Sequence, residues 1–234
     1  NFKVFKTPEF ALATLLSSVV MIAMVGVELV LPLYLQIVHG MSAFHSGLTL
    51  LFGAIMMGVM SPITGHLFDR YGARRLAMTG MFILTVGTLP FAFLTRETPI
   101  LDVVFLYAVR MFGISMVMMP VTTSGMNALP FSMISHGTAV NNTIRQVASS
   151  MGSAILISVL TNVTNSQKPV HSLLKASPLQ YKSQMIDATL NGYHAAFWIT
   201  IAFAVIGLLA TSRLGNGNKI HAKYDSNAKK GGNA

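Results

Sequence analysis

Charged residues are scarce in this chain, and long stretches contain none. Only 10% of the 234 residues are Asp, Glu, Lys or Arg, against about 25% in an average soluble domain. Uncharged windows cover 10–27, 29–68, 76–95, 111–144, 146–167 and 188–212. A hydrocarbon core of about 30 Å takes about 20 apolar helical residues, so most windows hold one span and the longest must fold back. The composition excludes an ordinary soluble domain and predicts an all-α fold, a polytopic transmembrane helical bundle.

Several kinds of chemical site are also missing. Cysteine is absent, which excludes disulfides and thiolate metal sites. The seven histidines form no H-E-x-x-H or comparable pattern, so we expect no metal site. No G-x-S-x-G elbow, P-loop or G-x-G-x-x-G with a distant acid is present. We therefore expect no enzyme, no catalytic residues and no organic cofactor.

The net charge of +9 is compatible with two negatively charged partners, nucleic acid and membrane lipid. The basic residues form short clusters beside apolar runs instead of one face interleaved with aromatic residues. This distribution indicates contact with membrane lipids and argues against a nucleic-acid partner.

Six spans are predicted, at 10–38, 46–67, 76–95, 102–129, 138–163 and 192–213. Thr7-Pro8-Glu9 is typical of a helix start, and Thr98-Pro99 with Asp102 repeats that pattern before the fourth span. Pro130 separates spans four and five, and 164–191 predicts a short surface helix with loops. The resulting organisation is a lead-in at 1–9, a six-helix domain at 10–213 and a flexible basic tail at 214–234.

The orientation follows from the positive-inside rule. Placing the amino end in the cytoplasm leaves four basic loop residues outside, namely Arg96, Lys168, Lys175 and Lys182. It puts eleven inside: Lys3, Lys6, Arg70, Arg74, Arg75, Arg145, Arg213, Lys219, Lys223, Lys229 and Lys230. We therefore expect both termini to be cytoplasmic. The start at Asn1 is compatible with a fragment, an engineered piece or a natural short protein.

The loop between spans two and three carries the most informative motif. In it Gly65 permits close helix packing, Gly72 permits a tight turn, and the charges are Asp69, Arg70, Arg74 and Arg75. By charge alone this is a turn that anchors two helices. The order G-x-L-x-D-R-x-G-x-R-R, however, resembles the signature loop of the major facilitator superfamily, with Ala73 where a basic residue is common. The resemblance implies one half of a major facilitator fold, in which Asp69, Arg70 and Arg74 latch the cytoplasmic helix ends.

Three further segments narrow the resemblance. They are Phe10–Thr14 (FALAT), Leu31–Gln36 (LPLYLQ) and Gly137–Gly152 (GTAVNNTIRQVASSMG). Together with the loop they look like the carboxyl-terminal half of fourteen-span EmrB/QacA-type drug:proton antiporters, which include lincomycin-resistance exporters. This resemblance implies a bacterial plasma-membrane exporter of small lipophilic drugs, driven by the proton gradient. It also implies a partner, either an amino-terminal half or a second copy.

Glu28 is the residue most suited to coupling, because a carboxylate within a span costs about 2.5–3.5 kcal/mol unless it faces water or a partner. Methionines on the same helical stripe suit a promiscuous drug surface. We expect Met21, Met24, Gln36 and, from span four, Asn127 to line a cavity. The alternative for Glu28 is a structural acid bonded to a neighbouring helix.

Arg110 lies about two turns into span four, where its side chain either snorkels outward or faces the cavity. In the superfamily the first and fourth spans line the cavity, so the resemblance assigns Arg110 and Glu28 to proton or substrate coupling. By the same resemblance, Arg110 corresponds to an arginine in span four of the family's amino-terminal half, with Gly113 in place of the glutamine that is usual there.

On span five, Asn141, Asn142 and Arg145 form a polar turn that we place at the cytoplasmic end. Gly152 continues a surface of small residues, and we expect this helix interface to pack on a helix of the absent half. Two other functions stay open for the chain. One is a truncated, non-transporting module or a regulator of a full-length partner, and the other is an uptake carrier of the same superfamily.

Overall fold

The computed structural model describes residues 2–214. Its α-helices are α1 (Pro8–Ile37), α2 (Ala43–Tyr71), α3 (Ala73–Thr88), α4 (Ile100–Asn127), α5 (Ile134–Ser166), α6 (His171–Ala176) and α7 (Pro178–Thr211). Short 3₁₀ turns cover Phe2–Lys6, Leu89–Phe93 and Phe131–Met133. Six of the described helices are long and apolar enough to cross a membrane, so the predicted six-span bundle is confirmed. Apart from Leu214, the predicted tail at 214–234 lies outside the described residues.

The helix boundaries follow local chemistry. Pro8 is at the first position of α1, where its missing N–H costs no hydrogen bond. Gly72, with φ 78° and ψ 164°, ends α2 and starts α3 without an intervening loop. The fourth helix starts one residue later than its motif predicts, because Pro99 is its N-cap and Ile100 its first helical residue.

The predicted start of the last span at 192 is wrong for the helix as a whole. The helix α7 begins at Pro178, and only the six-residue α6 precedes it. The residues between Pro178 and 192 are mostly good helix formers but too polar to count as membrane-spanning. Hydropathy detects the part of a helix that crosses the membrane and misses the part that projects beyond it.

Helices α1 and α4 occupy the centre of the bundle. Helix α1 packs on α4, α5 and α7, and α4 packs on α1, α2 and α3. Helix α4 therefore relates to α2 and α3 as α1 relates to α5 and α7, which is the arrangement expected of two inverted three-helix repeats. The sequence shows no visible repeat, because the two sets of three helices correspond in how they pack and not in which residues they contain.

The helices differ in how much of their surface is covered by the rest of the chain. In their most apolar stretches, α1 has 61% of its residues buried, whereas α2 and α5 have 17% each. Large apolar side chains on α2, such as Phe52, Ile55 and Val59, are exposed. These faces meet lipid or other helices when the bundle is in a membrane.

Candidate functional site

Glu28 lies within α1 and well away from its ends. Nine residues separate it from Ile37, which corresponds to about 14 Å of helix. The side chain is partly exposed, and within the described residues it forms no ion pair. The other described acids lie at helix ends or level with the loop at 94–99; they are Glu9, Asp69, Glu97, Asp102 and Asp187. Glu28 is therefore the one acid at mid-membrane depth among residues 2–214.

Arg110 is completely buried between α4 and α1. Its Nη2 donates hydrogen bonds to the backbone carbonyl oxygens of Ala23 and of Met24, the latter at 3.4 Å. Those carbonyls precede Glu28 by about one turn of α1, and Arg110 and Glu28 are within electrostatic range of each other. The snorkelling alternative is wrong, because backbone acceptors of α1 hold the guanidinium inside the bundle.

Tyr107 is a third member of this cluster and was missed by the sequence reasoning. It lies three residues before Arg110 on the same face of α4, is buried, and is within electrostatic range of both Arg110 and Glu28. Gly53 of α2 leaves the space for its ring, since a Cβ there would lie 2.3 Å from Tyr107 Cε1. Its i, i+3 spacing from Arg110 is the sequence signal by which it could have been found.

The residues predicted to line a cavity do not all lie together. Met21 and Met24 are partly buried on the stripe that also carries Glu28. Gln36 is instead bonded to α2, because its Nε2 donates to Ser46 Oγ at 3.1 Å. Asn127 is the last residue of α4, about 25 Å along the helix from Arg110. The structure therefore groups the methionines with Glu28 and separates Asn127 from them.

The signature loop is a tight turn with its charges on the outside. Gly72 adopts a backbone conformation that is essentially restricted to glycine. The charges of Asp69, Arg70, Arg74 and Arg75 are exposed, and none of the four forms an ion pair within the described chain. The Arg70 guanidinium lies 5.5 Å from the centre of the Tyr71 ring. At Gly65 an added Cβ would lie 3.3 Å from the terminal methyl of Met119 on α4, so this glycine is a packing position.

The polar turn of α5 differs from its prediction in two ways. Arg145 is eleven residues after Ile134, about 16 Å into the helix, and is therefore not at the end of α5. Gly152 packs on α1, where a Cβ would lie 2.8 Å from Ile22 Cγ2, so the helix that it contacts belongs to this chain. The prediction failed because α5 begins at Ile134 and runs through the polar residues without a break. Asn141 is buried and Asn142 is exposed.

At the end of the bundle opposite Gly72, a hydrogen-bond network holds the loop at 94–99. Tyr34 donates to the carbonyl oxygen of Thr95 at 2.6 Å, and His39 Nε2 lies 3.0 Å from the Tyr34 hydroxyl. The other contacts come from α7: His194 Nε2 lies 2.7 Å from the Leu94 carbonyl oxygen, and Asp187 forms an ion pair of 2.5 Å with Arg96. This network ties α1 and α7 to the loop that precedes α4.

Comparison with known proteins decides the family. A profile of the Major Facilitator Superfamily matches residues 1–153 of the chain. The chain belongs to the major facilitator superfamily. The curated relatives of this facilitator chain include the uncharacterized MFS-type transporter YcnB of Bacillus subtilis, 45% identical over 92% of the chain and 43% of the relative. The lincomycin resistance protein LmrB of Listeria monocytogenes is 37% identical over 90% of the chain and 44% of the relative. The lincomycin resistance protein LmrB of Bacillus subtilis is 36% identical over 89% of the chain and 43% of the relative.

These comparisons confirm the superfamily that the Gly65–Arg75 loop indicates. The relatives are transporters, and with six apolar helices the chain is a multi-pass membrane protein of a transport family. The chain spans less than half the length of the relatives named here.

Proposed function

We propose that this chain is the carboxyl-terminal half of a fourteen-span antiporter that exports lipophilic drugs in exchange for protons across the bacterial plasma membrane. The relatives named for lincomycin resistance support drug efflux as the activity. The basic residues around Gly72 support a cytoplasmic position for that end, with both termini on the same side.

The observation that carries the proposal is the position of Glu28. It is the single described acid at mid-depth, and it lies on a central helix beside the buried Arg110. A carboxylate at this depth either takes up a proton or binds a cation, and the two compete for it. Arg110 lies within electrostatic range of Glu28, so the carboxylate and the guanidinium belong to one charged cluster between α1 and α4. Competition of proton and drug for one carboxylate produces exchange.

A partner half is part of the proposal. The exposed apolar faces of α2 and α5 need cover, and the charges of the signature loop have no ionic partner within the described chain. In this proposal an amino-terminal half covers the faces and supplies helix ends that Asp69, Arg70 and Arg74 latch. A second copy of the chain is the alternative source of the same contacts.

Replacing Glu28 with glutamine tests the coupling role. The variant is compared with wild type in inverted membrane vesicles that hold this chain together with an amino-terminal half. We expect E28Q to lose drug-induced proton movement by tenfold or more, because an amide neither releases a proton nor binds a cation ionically. The control is Glu9→Gln, which changes an exposed acid in the first turn of the same helix. Unchanged coupling in E28Q would remove Glu28 from the mechanism.

A second candidate is a membrane module that does not transport alone, and the coverage of less than half of each relative favours it. Purified chain is reconstituted alone in liposomes, and drug movement is measured under an imposed pH gradient. Transport by the monomer would contradict the need for a partner half. The direction of movement in vesicles of known orientation separates export from uptake.

A further inference from the structure

Arg145 is a charge inside the membrane that has no acidic partner in the described chain. It projects from α5 towards α1, and its Nη2 lies 3.9 Å from the sulfur of Met21. A thioether is a weak acceptor, and the Nε of Arg145 is buried with no hydrogen-bond partner among the residues that the structure describes. No acid of residues 2–214 lies within ion-pair distance of this guanidinium. Charges at this depth are expensive unless paired, so an acceptor is required.

The charge balance at mid-depth points the same way. Apart from Asp187 of α7, which pairs with Arg96 of the loop at 94–99, the described spans carry three charges well inside the helices: Glu28 on α1, Arg110 on α4 and Arg145 on α5. Arg110 already has the carbonyl oxygens of Ala23 and Met24 as acceptors and is near Glu28. The excess of one positive charge is therefore located at Arg145.

The face of α1 next to Arg145 adds hydroxyl groups but no acidic side chain close to it. Ser17 lies one turn before Met21, and the hydroxyls of Ser17 and Thr14 are both buried and unbonded among the described residues. Glu28 is seven residues after Met21 on the same stripe, about 10 Å along the helix. This face of α1 therefore has a carboxylate near its middle, the Arg145 guanidinium against Met21 about two turns away, and unbonded hydroxyl groups further along the same stripe.

From this arrangement we propose that Arg145 binds an anionic oxygen, from a carboxylate or a phosphate, that is supplied from outside this chain. Two sources share this chemistry, a transported ligand and an acidic side chain of the partner half. If the ligand supplies it, the site takes amphoteric compounds, with the cationic group at Glu28 and the anionic group at Arg145. This version of the inference, in which a transported ligand supplies the anionic group, rests on the proposed role of Glu28 in drug binding.

The first arm of the test uses two dyes with the same xanthene body, the cationic ester rhodamine 6G and its free acid, a zwitterion. Binding of each dye is measured without a proton gradient in membranes that hold the chain with an amino-terminal half. If a ligand carboxylate pairs with Arg145, R145Q weakens binding of the free acid by about tenfold, as expected for loss of a charged hydrogen bond. Binding of the ester then changes less than twofold, and R145K retains most of the preference. Lys182→Gln, an exposed basic residue on α7, is the matched control.

The second arm measures thermal unfolding of the detergent-solubilised assembly without dye. If the partner half supplies the carboxylate, R145Q lowers the unfolding temperature, R145K restores it, and the preference between the dyes is unchanged. If R145Q changes neither the dye preference nor the unfolding temperature, or raises that temperature, Arg145 has no anionic partner and the inference is wrong. Because no proton gradient is present, this result is independent of whether E28Q abolishes coupling.

Discussion

The close approach of α3 and α4 depends on two glycines, and replacing one of them should separate the helices. A Cβ added at Gly113 would lie 2.8 Å from the backbone nitrogen of Leu84 and 2.9 Å from the carbonyl oxygen of Gly80. A Cβ at Gly80 would in turn lie 2.8 Å from the Gly113 carbonyl oxygen. Optimal contacts between heavy atoms are about 3.5–4.0 Å, and backbone atoms cannot rotate away, so the helices must move apart.

The expected effect of Gly113→Ala is a balance of two terms. Overpacking in a well-packed interior costs about 1–3 kcal/mol. Replacing glycine by alanine inside a helix gains about 1 kcal/mol. The variant Gly58→Ala on α2 measures the helix-propensity gain alone, because a Cβ at Gly58 would meet nothing within 4 Å. We therefore expect G113A to unfold with a free energy about 1–3 kcal/mol below that of G58A.

The assay is reversible unfolding in mixed dodecylmaltoside and dodecylsulfate micelles, followed by far-ultraviolet circular dichroism. Arg110 lies one turn before Gly113, so displacement of α4 should also weaken its bonds to the α1 carbonyls. If G113A and G58A are equally stabilised, the close contact of α3 and α4 is not present and this reasoning is refuted.

Two further predictions concern the ends of the bundle. Gly72→Ala should cost about 1–3 kcal/mol in the same assay, because the φ and ψ values at Gly72 are essentially restricted to glycine; a stability equal to wild type would contradict the observed turn. Tyr34→Phe should cost about 1–2 kcal/mol, since the hydroxyl loses its hydrogen bonds to the Thr95 carbonyl oxygen and to His39. Tyr193→Phe is its control, because the Tyr193 hydroxyl makes no hydrogen bond within the described residues. Equal losses in both variants would show that the hydrogen bonds of the Tyr34 hydroxyl contribute nothing.

Much of the fold could be predicted from the sequence, because the bilayer imposes a simple rule on the chain. Apolar stretches must span it as helices, so uncharged windows located six helices, and Pro130 separated the fourth from the fifth. The motif from Gly65 to Arg75 indicated the superfamily, since its glycines and charges are needed locally at one turn. The rule failed where polar residues continue a helix, as in α7 before 192 and in the early turns of α5.

The candidate site was only partly predictable. Glu28 and Arg110 were suspected because charges are rare within spans, and the structure brings them together. The sequence did not show that α1 carbonyls bind Arg110, that Tyr107 joins it, or that Gln36 bonds to α2. Arg145 was assigned to a helix end, and only the position of α5 beside α1 places it at Met21.

Local chemistry along the chain therefore determined the number of helices, their approximate ends and the family, because each of these depends on residues close together in sequence. The tertiary structure alone decided which charges meet and which are left without a partner. The distance between Arg110 and the Ala23 carbonyl, or between Arg145 and any acid, depends on how helices separated by dozens of residues pack. That packing is set by glycines such as Gly80 and Gly113, whose contacts lie on other helices.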